Sequence, residues 1–155
     1  MILYPAGNSA VLYNNETKQQ RFLNISEDSD CMTTLSVSSN KRLLAMGEKN
    51  KKGHLVSIWC LQKMTRKKSL LLSLDVKDDV ISMSFSCDTK QLVVQGGKPN
   101  WEIYIYIWDK NKLVNSSLII FVYPLSIALL SLICMFIRTS CRLPPEKLLL
   151  TLQSL

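Results

Sequence analysis

Leu35-Ser36-Val37-Ser38-Ser39-Asn40-Lys41-Arg42-Leu43-Leu44-Ala45-Met46 returns 48 residues later as Met83-Ser84-Phe85-Ser86-Cys87-Asp88-Thr89-Lys90-Gln91-Leu92-Val93-Val94. Each copy alternates apolar residues with others, reaches a serine and a small polar turn holding a basic residue, and resumes with a second apolar stretch. Further along, Val56-Ser57-Ile58-Trp59-Cys60 returns as Ile105-Tyr106-Ile107-Trp108-Asp109, now at an offset of 49. The added residue falls in the connection, Glu48–His54 against Gln95–Trp101, where insertions cost little. Ala10-Val11-Leu12-Tyr13-Asn14 is a fainter third copy, with Tyr13 in the tryptophan position. A basic segment follows each copy: Lys18–Arg21, Lys63–Lys68 and Lys110–Lys112. Apolar residues resume after the first two, at Phe22-Leu23 and Leu70-Leu71-Leu72.

The repeating unit is strand, turn, strand, loop, strand, turn, strand. Four short strands per unit, with an aromatic residue near the end of the third, describe a propeller blade, and Trp108-Asp109 supplies the dipeptide of that architecture. Period-two alternation puts Ile81, Met83 and Phe85 on one face, and the repeat puts Leu35 and Val37 on the equivalent face. With Trp59 and Trp108 these are the expected structural core of the blades. The reading is all-β: a partial WD40-like β-propeller of about two and a half blades, followed by a C-terminal hydrophobic α-helix. Its boundaries are a partial blade over 1–30, a blade over 31–74, an incomplete blade over 75–112, a hydrophobic segment over 113–137 and a short tail over 138–155. The only histidine, His54, follows Gly53 and stands five residues before Trp59, so it is expected in a loop.

Several stretches carry a closer resemblance. Pro5-Ala6-Gly7-Asn8, Val11-Leu12-Tyr13-Asn14, Lys18-Gln19-Gln20-Arg21-Phe22, Ser39–Ala45, Met83–Ser86 with its Asp88 turn, and Trp108–Lys112 are similar to the start of the cilia- and flagella-associated protein 57 family. The resemblance covers residues 2–112. It implies a non-enzymatic interaction scaffold resembling large axonemal proteins, in which WD-repeat propellers precede coiled coils and support inner dynein arms and cilium motility. It also implies protein partners among axonemal or dynein-arm components, and placement in the cytoplasm at the cilium axoneme. No heptad segment follows the blades, and closure of a propeller takes four or more of them, so a truncated product is expected.

Composition changes after Lys112. Four of the 31 charges and none of the five glycines lie beyond it, while 26 of the last 43 residues are apolar. Leu118–Ile137 holds 20 residues without a charge, long enough as a helix to span about 30 Å of hydrocarbon. Lys110, Lys112, Arg138 and Arg142 flank it. The competing readings are a tail-anchored single-pass membrane protein with a small cytosolic β domain, and a non-functional truncated product whose tail was not selected.

The remaining signals exclude chemistry. Met1-Ile2-Leu3-Tyr4 meets Pro5 and Gly7 at once, which is no secretory leader. Five cysteines without a C-x-x-C pair argue against a disulfide framework or a metal site. One histidine and no G-x-S-x-G leave no catalytic set, so no enzyme, cofactor or small-molecule substrate is expected. Gly96-Gly97-Lys98 reads as a strand connection rather than a phosphate loop. Asp78-Asp79, beside Asp75, reads as a turn rather than a cation site. The net charge of +7 is spread over turns, so nucleic acid is not an expected partner. The runs Lys49–Lys52 and Lys63–Lys68 read first as solvated hairpin turns and second as surfaces for an acidic partner.

Overall fold

In the computed structural model the described residues are 1–51, 53–72, 79–98 and 101–118, and their regular structure is entirely β. Three antiparallel sheets follow one another along the chain. The first contains β1 (Ile2–Ala6), β2 (Ser9–Tyr13) and β3 (Gln20–Asn24) in that order. The second contains β4 (Ser29–Val37), β5 (Leu43–Asn50), β6 (Gly53–Cys60) and β7 (Thr65–Leu72). The third contains β8 (Val80–Phe85), β9 (Gln91–Gly96), β10 (Glu102–Ile107) and β11 (Lys112–Leu118). Every pairing joins neighbours in sequence, which is the meander of a propeller blade.

The repeated motif folds identically in both full sheets. Ser38 N–H donates to Leu43 O at 2.9 Å, and Leu43 N–H donates back to the Ser38 hydroxyl at 2.9 Å. Ser86 and Gln91 repeat this pair at 3.0 and 2.9 Å. Asn40 Oδ1 accepts from Arg42 N–H at 3.0 Å, and Asp88 Oδ1 accepts from Lys90 N–H at 3.0 Å. Side-chain oxygens thereby satisfy backbone donors that a tight reversal leaves unpaired. Each turn places a non-glycine residue in the left-handed region, Lys41 at φ 55° and Thr89 at φ 60°.

Apolar seams join the sheets. Leu44, Met46, Leu61, Leu12 and Leu23 pack between the first and second sheets, with Leu35 and Trp59 against them. Val56, Ile58, Leu70, Val80, Met83, Phe85, Leu92 and Val94 pack between the second and third, with Trp108 against them. Each fully buried aliphatic side chain contributes about 1.5–3 kcal/mol. Gly47 is required by close approach, because a Cβ there would stand 2.8 Å from both Thr33 Oγ1 and Thr34 Cγ2 on β4.

Four features depart from the sequence reading. The third blade does not stop at Lys112: β11 pairs with β10 from Ile107↔Lys112 to Glu102↔Leu118, giving it four strands. Asn111 makes the reversal at φ 52°, a region asparagine tolerates. Leu118 is thus the end of a strand, whereas residues 119–137 of the expected hydrophobic span, Ile137 included, lie outside the described residues, as does the 138–155 tail. No helix among the described residues is long and apolar enough to cross a membrane. Ile81 is 36% exposed and does not share the inward face of Met83 and Phe85. The register shift between Val80 and Ser82 makes Ile81 the extra residue of a bulge and turns Val80 inward in its place. Val37 is 42% exposed although Phe85, its counterpart, is buried. Phe85 lies on β8, which packs beside β4, while the three-stranded first sheet holds no strand in the equivalent place to cover Val37. Finally, β5 and β6 run farther than expected, so His54 is a buried strand residue paired with Lys49 and Leu72, not a loop residue.

Candidate functional site

The candidate features of the described residues are the connections between strands and the seams between sheets. Among the described residues, no group of three His, Cys, Asp or Glu stands together where a metal ion would fit. Asp75 and Asp78 lie outside the described residues.

Trp59 and Trp108 occupy the same place in their sheets yet are held differently. Trp108 Nε1–H donates to Thr89 O at 2.6 Å, which ties the end of β10 to the left-handed turn before β9. Trp59 Nε1 is buried without a hydrogen-bond partner. Its ring lies under the Arg66 guanidinium, 5.1 Å from the centroid, and Arg66 Nη1 donates to Ser26 Oγ at 2.8 Å. A cation over an indole face substitutes here for a hydrogen bond from its edge, and it links β7 to the connection between the first two sheets. Leu35 and Met83 both face the preceding sheet, as the repeat requires.

A second polar element was not anticipated from the sequence. Glu48 is 0% exposed at the end of β5. Its Oε2 accepts from Ser26 N–H at 2.9 Å and from the Ser29 hydroxyl at 2.8 Å, and its Oε1 accepts from the Ser57 hydroxyl. One carboxylate thus gathers β5, β6 and the chain entering β4. The signal was present: Leu44, Met46 and Glu48 alternate on one face of one strand. Gly96 stands 48 residues later in place of Glu48, and there the buried Tyr104 and Tyr106 fill an aromatic seam instead.

Like ends of neighbouring sheets adjoin. The Asn8 side-chain amide donates to Asp30 O at 3.1 Å, and Lys49 Nζ bridges Asp79 Oδ1 at 2.9 Å. Hydrogen bonding to Asp79 and its charge raise the Lys49 pKa. At the opposite end, Lys68 Nζ donates to Asp109 O. Burial pushes the Asp88 carboxyl up, but donation from the Ser86 hydroxyl and Lys90 N–H, with the Lys90 charge, outweighs it and holds the group below its ordinary value.

Comparison with known proteins places this architecture. Over 116 residues the chain is 34% identical to mouse cilia- and flagella-associated protein 57, covering 74% of this chain. This chain is a homologue of part of that protein. A Tetrahymena thermophila relative, cilia- and flagella-associated protein 57 A, is 46% identical over 55 residues, 36% of this chain. The matches span 9% and 4% of those relatives, so the chain corresponds to less than a tenth of a protein 57. No protein-family model matches. Among solved structures, a chain of the mitotic checkpoint complex superposes at a TM-score of 0.60 and 14% identity, covering 74% of this chain and 33% of that one. The WD40 repeats of RRP9 superpose at 0.56 and 18% identity, covering 70% and 32%. These likenesses show the fold: the sheets are WD40-like propeller blades.

Proposed function

We propose that the chain is a non-enzymatic protein-interaction scaffold of the cilium or flagellum, presenting blade connections to axonemal proteins. The observation that carries this reading is the 34% identity with mouse cilia- and flagella-associated protein 57 over 116 residues. The WD40-like arrangement supports it, because such blades expose many short turns from a rigid framework and so offer contact surface without a cavity. In its finer form the proposal assigns these blades to the support of inner dynein arms and of cilium motility.

The test is the location and company of the tagged full chain in multiciliated cells. Signal along the axoneme, with dynein-arm subunits enriched by proximity labelling over a tag-only control, is the expected result. Diffuse cytosolic signal without enrichment of axonemal proteins refutes the ciliary assignment. Axonemal signal with other structural proteins labelled but no dynein-arm subunit refutes the finer form alone.

A further inference from the structure

Charge is divided between the two ends of the blades. The antiparallel order places the β4–β5 and β6–β7 connections at one end of the second sheet and the β5–β6 connection at the other. The contacts between like ends described above extend these two ends across all three sheets. At the first end, the β2–β3 hairpin carries Lys18 and Arg21 against Glu16. The β6–β7 hairpin carries Lys63, Arg66, Lys67 and Lys68 with no acid, and the β10–β11 hairpin carries Lys110 and Lys112 against Asp109. The inner turns add Lys41 and Arg42, and Lys90 against Asp88. That end therefore holds eleven cations and three carboxylates, a net +8. The other end holds Lys49, Lys51 and Lys98 against six carboxylates, a net −3 among the described residues.

The cations are also in register. Arg21 pairs with Leu12, Lys68 with Ile58 and Lys112 with Ile107, the same place on the outermost strand of each sheet. Packed sheets lie about 10 Å apart and an extended chain advances about 3.3 Å per residue, so carboxylates three to four residues apart keep pace with successive blades. Beside this row the outer strands expose apolar side chains, Phe22 on β3 and Val114 on β11. A run of aromatic platforms for successive bases is lacking there among the described residues: Phe22 is a single exposed ring, Trp59 is covered by Arg66, and Trp108 is tied to Thr89.

We propose that this basic end is the docking surface for an extended acidic protein segment with carboxylates and apolar residues interspersed. The proposal rests on the scaffold reading and names the chemistry of its partner. Opposed charge on the far end orients the segment and rejects the reverse approach.

A fluorescein-labelled deca-glutamate peptide, titrated with the full chain and read by anisotropy at about 50 mM and about 150 mM salt, tests it. Lys63→Glu with Lys67→Glu alters two exposed lysines that make no hydrogen bond across the seams, and is expected to weaken binding about tenfold, the sum of several exposed ion pairs. Lys51→Glu with Lys98→Glu makes the same change in net charge at the other end, and is expected to move binding less than about twofold. Equal weakening by the two pairs, or no binding by the unaltered chain, overturns the proposal. So does tighter binding of a ten-nucleotide oligothymidylate or of phosphatidylserine vesicles than of the peptide. Loss of the peptide preference while the tagged chain still reaches the axoneme overturns this surface and leaves the scaffold reading standing.

Discussion

Replacing Glu48 with alanine removes the acceptor on which β5, β6 and the entry to β4 converge. The structure gives three donors to that carboxylate, one backbone N–H and two hydroxyls. Hydrogen bonds to a charged group contribute about 1.5–3 kcal/mol each. Removing the charge also relieves several kcal/mol of desolvation. Two of the donors are hydroxyls, and Ser29 and Ser57 can turn to other acceptors. The Ser26 N–H is fixed by the backbone, and stranding it costs about 1–3 kcal/mol. Together with the lost methylene packing, Glu48→Ala is expected to destabilise the chain by about 3 kcal/mol. Glu48→Gln keeps one oxygen where Oε2 now accepts two bonds and lets its amide donate to Ser57, so it is expected to cost about 1 kcal/mol. Urea titration followed by tryptophan fluorescence measures both. With a slope of about 1–3 kcal/mol per molar, the alanine variant should lower the midpoint by about 1 M or more. An alanine cost below about 1 kcal/mol, or a glutamine cost equal to it, refutes the view that this hydrogen-bond set holds the seam.

The bulge at Ile81 makes an ordering prediction: Val80→Ala should cost about 2 kcal/mol and Ile81→Ala less than about 1 in the same titration, and the reverse order would restore the simple alternation. Trp108→Phe removes the donor to Thr89 O and should cost about 1 kcal/mol more than Trp59→Phe, whose indole N–H has no partner to lose. The depressed Asp88 carboxyl contributes stability that is present above the unfolded aspartate value of about 3.9 and is lost as pH falls through the lower folded value. Asp88→Asn, which reproduces Asn40 of the sister turn, should therefore flatten the fall in melting temperature between about pH 5 and about pH 2.5; an unchanged slope would deny Asp88 that role.

What was legible in the sequence was whatever repeats. The Ser38 and Ser86 turns share residue types because they share hydrogen bonds, so the 48-residue offset reported real geometry. Leu35 and Met83 hold equivalent positions on β4 and β8 and pack toward the preceding sheet. Besides Val37 and His54, three things escaped, each through a local cause that periodicity does not carry. A bulge costs one residue of register and leaves no mark in Val80-Ile81-Ser82, where either apolar side chain fits the pattern. An outermost strand is held by backbone pairing, so Lys112–Leu118 needs no alternation and resembled the start of the apolar tail. Glu48 looked like the first residue of a polar loop because burial of an acid depends on donors distant in sequence, here Ser26, Ser29 and Ser57.

These misses bear on how the blades specialise. The first seam is closed by an acid, serines and an arginine over an indole, while the second is closed by apolar and aromatic side chains with two polar ties, Lys49 to Asp79 and Lys68 to Asp109. Polar closure is directional and fixes the connection between β3 and β4 in one place through Ser26 and Ser29, whereas apolar closure tolerates small slides. At the hairpin end, the β6–β7 and β10–β11 hairpins are tied directly, by Lys68 Nζ donating to Asp109 O. Lys68 and Lys112, which stand on these two hairpins, are the part of the cationic row whose spacing a cross-sheet hydrogen bond sets. An acidic segment reading that spacing would discriminate between sequences there.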